Sequence, residues 1–195
     1  MDEFLQSSEW IDWESPEVLA QARQLASDNA LETARRCYEF VRDEIRHSCE
    51  FKLNPVTCRA SDVLAHRTGY CYAKSHLLAA LLRANGIPAA LCYQRLSIDG
   101  DGPPFSLHGL NAVYLPEHGW YRIDARGNKS GVDAAFTPPE ERLAFAIACD
   151  GERDLEGVYA EPLPQVVAVL TRFKTWEEVL QNLPDAAPEL AGSKS

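Results

Sequence analysis

Six cysteines and five histidines supply the side chains best suited to nucleophilic or metal chemistry in this 195-residue sequence. One cysteine is set apart by its surroundings. In RTGYCYAKSHLLAALLRANGIP, Arg67 to Pro88, Cys71 falls where a glycine-containing turn passes into a helix that is apolar on nearly every side. Unpaired N–H groups at a helix N-terminus carry partial positive charge that stabilises a thiolate. The same N–H groups can hold a developing oxyanion. Cys71 is therefore a candidate nucleophile if a base lies within reach; otherwise it joins the many cysteines that are simply buried and inert.

The histidines are unequal candidates for that base. His47 and His66 are expected in the last turns of their helices, where the dipole favours a positive charge. His76 follows Cys71 on the same helix, about 140° round it, and cannot easily face the thiol. His118 lies in PEHG, a hairpin tip. His108 differs, because it follows the loop DGDGPPFS and opens the strand HGLNAVYL, whose returning partner GWYRID ends on Asp124. In an antiparallel pair the end of one strand lies beside the start of the other. A three-residue turn of Pro116, Glu117 and His118 would pair Leu115 with Gly119, set Leu110 opposite Asp124 and leave His108 diagonal to the acid on one face. A four-residue turn would put the two on opposite faces unless a bulge intervened. An aspartate beside an imidazole fixes its tautomer, while the imidazole takes the thiol proton.

With those residues in place the chain resembles the transglutaminase-like superfamily in its small bacterial branch. The resemblance rests on GYCYAKSHLLAALLRANGIPA, Gly69 to Ala89, and HGLNAVYLPEHGWYRID, His108 to Asp124, and it is concentrated between about residues 35 and 126. It implies a papain-like α+β core in which the cysteine heads a buried helix packed on an antiparallel sheet. It also implies Cys71, His108 and Asp124 as a catalytic set and thioester chemistry on amide carbonyls, by a hydrolase or an acyltransferase, with no metal or cofactor. Ala73 stands where the family often has an acid, Leu110 where an aromatic is common, and Asp124, Ala125, Arg126 where a DPT-like ending is usual. These departures bear on substrate class more than on the nucleophile. Lys74, Ser75 and Gln94 lie near the expected cleft as candidate substrate-binding residues. Each also has a plain reading: Lys74 solvated, Ser75 bonding its own helix backbone, Gln94 an ordinary strand residue.

The positioning elements can be read around these motifs. Ser15 before Pro16 and Glu17 predicts a helix to about Ser27, and Asp28 offers a cap for a second, with Leu31, Ala34, Tyr38, Val41 and Ile45 at helical spacing. These form extra N-terminal helices. SDVLAHRT predicts a short helix, AALCYQRLSI a strand, and LAFAIA and QVVAVLTR further strands. RGNKSGVDAAFTPPEE reads as an irregular loop able to cover a site, and TWEEVLQN as a last short helix. Trp120 is expected to pack the sheet, and Trp10 and Trp13 to anchor the N-terminal segment. Residues 1–183 read as one domain and 184–195 as a flexible tail.

Composition limits the alternatives. Apolar residues make up 46% and charged residues 25%, which is the balance of an ordinary globular domain. A net charge of −10 with no basic cluster argues against nucleic acid and anionic membranes as partners; a protein or peptide substrate is what the resemblance implies. The acidic start MDEFLQSSEWIDWE has no basic flank and apolar run, and no stretch approaches the roughly 18 apolar residues of a membrane span, so a cytoplasmic location with reduced thiols is expected. Two rival readings remain. One is a transglutaminase-like fold without turnover that binds a protein or peptide. The other is a zinc site of His47, Cys49, Cys58 and His66, which lacks a paired C-x-x-C element.

Overall fold

A computed structural model describes residues 1–186. After a 3-10 turn at Asp2–Leu5, the chain forms α1 (Pro16–Leu25), α2 (Ala30–Glu44), β1 (Arg46–His47), α3 (Ser48–Phe51), α4 (Ala60–His66) and β2 (Thr68–Gly69). Then come α5 (Cys71–Ala84), β3 (Ala89–Ser97), β4 (Phe105–Leu115) and β5 (Gly119–Ile123). The last part contains β6 (Ala135–Thr137), β7 (Glu140–Arg142), β8 (Arg153–Asp154), α6 (Pro164–Arg172) and α7 (Trp176–Leu180). Helices in the first half and an antiparallel sheet of order β5-β4-β3-β8 make this the expected α+β fold.

Helix α5 is the centre of the molecule. Every residue from Cys71 to Arg83 is buried, with α1, α2 and α4 on one side and β3 and β4 on the other. A helix apolar all round has no solvent face to offer, so its neighbours must close over it. Each fully buried leucine among Leu77, Leu78, Leu81 and Leu82 contributes about 1.5–3 kcal/mol by leaving water. Its far end stops at Asn85 and Gly86, the latter at φ +71°.

The α5–β4 contact is close because of one glycine. A Cβ on Gly109 would come within 3.0 Å of Tyr72 Cα and Cδ1, so only glycine lets the strand rest against the first turn of the helix. Tyr72 Oη donates to Leu107 O, and buried Asn111 donates Nδ2 to Ser75 O (2.9 Å) and Ala90 O (3.2 Å). These bonds fix the height of the helix start against the strand.

Several elements depart from the sequence expectation. Residues around LAFAIA form no strand; Ala144 N–H instead donates to Asp124 Oδ2. QVVAVLTR is the helix α6, because Pro164 sits at its first turn and Val166 and Leu170 bury together at helical spacing, which outweighs the β-propensity of its valines. RGNKSGVDAAFTPPEE is not wholly irregular, since Ala135–Thr137 pairs with Glu140–Arg142. Asn29 rather than Asp28 caps α2, accepting from Leu31 N–H (2.8 Å) and Glu32 N–H (3.3 Å), and Leu31 is exposed. Trp120 packs against Phe4 and Tyr114, and Trp13 Nε1 donates to Leu5 O. Pro184 O accepts from Leu107 N–H (2.7 Å) and Asp185 pairs with Arg95, so the start of the expected tail is held on the sheet. The rest of that segment, 187–195, lies outside the described residues.

Candidate active site

Three elements bring Cys71, His108 and Asp124 together. Cys71 is the first residue of α5, and its preceding residue Tyr70 provides no side-chain cap, which leaves the first-turn N–H groups open. His108 lies on β4 and Asp124 one residue past β5. The hairpin register pairs Leu115 with Gly119 and Asn111 with Ile123, so the three-residue turn is realised, with Gly119 at φ +70° to close it. His108 Nε2 donates to Asp124 Oδ2 at 2.7 Å. Cys71 borders the same cleft as this imidazole and supports its charged form, and with Nε2 engaged by Asp124 it is Nδ1 that remains for the sulfur. Gly109 N–H also approaches Cys71 Sγ, at 3.5 Å.

Asp124 is wholly enclosed yet well supplied with donors. Its Oδ1 accepts from Arg126 N–H (3.1 Å), and its Oδ2 accepts from Ala144 N–H (3.1 Å) as well as from His108. Burial alone would raise its pKa; His108 and the two backbone N–H groups outweigh burial and hold it below the usual carboxylate range. For His108, burial opposes the charge, but Asp124 and Cys71 prevail and raise its pKa to about 10. Phe145 meets the His108 ring edge to face at 5.0 Å and shields it.

Cys71, His108 and Phe145 open on a cleft of about 580 Å³, bordered also by His47, Cys49, Tyr70, Arg126 and Lys129. Glu50 Oε1 pairs with both Arg126 (2.6 Å) and Lys129 (2.5 Å), so this wall keeps an excess of positive charge.

The three candidate substrate-binding residues lie elsewhere than substrate contact would need. Lys74 is not solvated: it is buried, and its Nζ donates to Ile45 O (2.5 Å), Arg126 O (2.7 Å) and Arg42 O (3.4 Å). Its task is to hold the turn after Asp124, because the helical rotation from Cys71 points it at the α2 C-terminus rather than at water. Burial, with Arg126 close by, lowers its pKa to about 7. Ser75 Oγ donates to Cys71 O (2.8 Å), its local helix partner. Gln94 faces His108 across the β3–β4 ladder, and its Nε2 donates to Asp154 (3.0 Å).

The other histidines also find places. His76 is buried on α5 with Nδ1 bonded to Cys58 O (2.8 Å). His66 ends α4. His47 is not in a helical turn, because α2 stops at Glu44 and His47 pairs in β1 opposite Gly69. The four residues of the zinc alternative do not converge; among the described residues no three side chains of His, Cys, Asp or Glu gather to hold a metal ion. The sequence reading did not place Gly109, Arg126 or His47 beside Cys71 and His108, having set His47 aside as a helix-end residue. A glycine inside a strand directly after His108 was the one available signal, since such a glycine marks a close backbone approach.

Among the described residues no helix is long and apolar enough to cross a membrane. No curated protein matches the chain. Among solved structures, a candidate cysteine protease from Cytophaga hutchinsonii is 20% identical with a TM-score of 0.48, over 63% of this chain and 40% of that one. The periplasmic domain of TgpA from Pseudomonas aeruginosa is 22% identical with a TM-score of 0.46, over 63% of this chain and 45% of that one. The chain thus spans less than half the length of these structures. The model of the Transglutaminase-like superfamily matches residues 18–125, more than half of the sequence, and that segment contains α5, the β4–β5 hairpin and the residues Cys71, His108 and Asp124. The chain belongs to the transglutaminase-like superfamily.

Proposed function

We propose that this protein is a thiol-dependent hydrolase or acyltransferase acting on amide carbonyls of proteins or peptides, with Cys71 as nucleophile. The observation that carries this reading is the convergence of a thiol, an imidazole and a carboxylate from α5, β4 and the end of β5: the imidazole is bonded to the carboxylate, and the N–H of the next residue, Gly109, approaches the thiol sulfur at 3.5 Å. His108 takes the thiol proton and later protonates the leaving amine, and Asp124 holds the ring and stabilises its charged form. Cys71 N–H, at the open start of α5, is one donor to the oxyanion. The thioester then passes to water in a hydrolase or to an amine in a transferase.

Limited alkylation with iodoacetamide at about pH 6 tests the nucleophile, since only thiolate reacts. Burial pushes the thiols of Cys37, Cys58 and Cys92 up to about 12 and raises that of Cys49. Cys71 is expected to label first. Turnover of peptide and amine-donor libraries by wild type, and none by Cys71→Ala, is the expected companion result. Equal turnover by both would reject Cys71 as the nucleophile, whereas no turnover by either together with labelling without preference would favour a fold that binds peptide and does no chemistry.

A further inference from the structure

His47 is a buried polar side chain at the cleft that this reaction leaves without a task. Strand β1 lies parallel to β2, with His47 opposite Gly69, two residues before Cys71. The imidazole therefore stands beside the start of α5, edge to face with Tyr70 at 5.4 Å, and borders the same cleft as Cys71 and His108. Its Nδ1 is buried with no partner, and among the described residues no hydrogen bond engages Nε2. Burial first, then Arg126 and Lys74, press its pKa down to about 3, so the ring is neutral. A neutral imidazole has one N–H. On Nδ1 that proton would be a buried donor with no acceptor. It belongs on Nε2, the nitrogen that is not enclosed.

We propose that His47 is the second oxyanion donor, its Nε2–H and the Cys71 N–H together holding the carbonyl oxygen as it becomes an anion. The inference rests on the acylation of Cys71 proposed above. In that step the sulfur lone pair forms the S–C bond and the carbonyl π pair moves to oxygen, which accepts from both donors. On collapse the C=O bond reforms, the C–N bond breaks, and the amine leaves with the proton from His108. His47 keeps its proton throughout. A neutral donor suits this place because it stabilises the charge without surrendering a proton to it, and it costs no reorganisation when already in position.

Two probes separate this role from a structural one. p-Nitrophenyl acetate acylates through a tetrahedral oxyanion; iodoacetamide alkylates sulfur without one. In His47→Phe, which keeps a ring against Tyr70, acylation at Cys71 read by mass and nitrophenolate release should fall about 10²-fold, the scale of losing one oxyanion donor. Alkylation of Cys71 in the same variant should stay within about twofold of wild type, since the thiol–imidazole pair is untouched. His47→Gln restores an N–H and should acylate within about tenfold of wild type. Unchanged acylation in His47→Phe overturns the inference while leaving the proposed function standing. A parallel fall of both rates also overturns it, assigning His47 to support of the thiol–imidazole pair. Wild type that takes no acyl group at Cys71 overturns both.

Discussion

His108 and His47 border one cleft and are almost equally buried, 5% and 8% exposed, yet they are driven to opposite protonation states. Burial works against the charged form of each. At His108 the carboxylate of Asp124 and the thiol of Cys71 overcome it and raise the pKa to about 10. At His47 the charges of Arg126 and Lys74 add to burial, Glu50 opposes them weakly, and the pKa falls to about 3. Removal from water makes each ring sensitive to its neighbours, and the neighbours' sign then decides which form survives. The cleft so holds one imidazole that carries charge and moves protons beside one that stays neutral.

Asp124→Asn breaks the first half of that contrast and has the largest expected effect. The amide is nearly isosteric but brings no charge, and as a donor on the Nε2 side it can favour the wrong tautomer. Acylation of Cys71 should fall on the order of 10⁴-fold, as when a triad aspartate is neutralised elsewhere. The His108 imidazole, followed by its ring proton resonances, should titrate well below about 10, having lost the carboxylate that opposes burial. If the variant keeps wild-type acylation, Asp124 is a packing residue.

The half of the site built on regular elements was legible in the sequence, and the half built on irregular chain was not. Cys71 could be placed because an all-apolar helix with a glycine before it has a definite start, and His108 and Asp124 because a period-two ladder converts a turn length into a face. Register arithmetic carries no such information for residues 125–160, where pairing is short and the backbone is held by single contacts such as Ala144 N–H on Asp124. The misread α6 has the same origin: three valines imply strand by local preference, and only the tertiary burial of Val166 and Leu170 makes the helix win. Lys74 looked solvated because a lysine rarely leaves water. Its three carbonyl acceptors come from distant parts of the chain that no spacing rule connects.

Lys74→Met sharpens the second half of the contrast. The apolar chain fills a similar volume but leaves the carbonyls of Ile45 and Arg126 without their buried donor. A loss of about 2–4 kcal/mol in unfolding free energy is expected from denaturant titration, within the range for breaking a buried charged hydrogen-bond cluster. One of the two cations near His47 is also gone, so its pKa should rise from about 3 toward the ordinary 6.5. A variant as stable as wild type, with His47 titrating unchanged, would mean that the ammonium is dispensable to both.

The smallest effect lies in the pH dependence of stability, and the share of it due to His47 has a definite sign. Its folded pKa of about 3 lies below the ordinary 6.5, so between these values the unfolded chain binds the additional proton. Wild type must therefore lose stability as pH falls through that window. His76, whose folded pKa is lowered to about 4, and lowered carboxylates such as Asp124 and Glu50 lose stability in the same direction. Wild type alone cannot separate these groups, but comparison with His47→Phe isolates His47, because phenylalanine has no proton to bind. The stability of the variant relative to wild type should grow by about 1 kcal/mol for each pH unit below 6.5, close to the 1.36 kcal/mol that one unit of differential protonation carries. Above 6.5 the two profiles should run parallel, since neither ring is protonated in the folded or unfolded chain. Parallel profiles between pH 6.5 and 4 as well would mean that His47 accepts a proton in the folded protein, and the division of the cleft into a charged and a neutral imidazole would be lost.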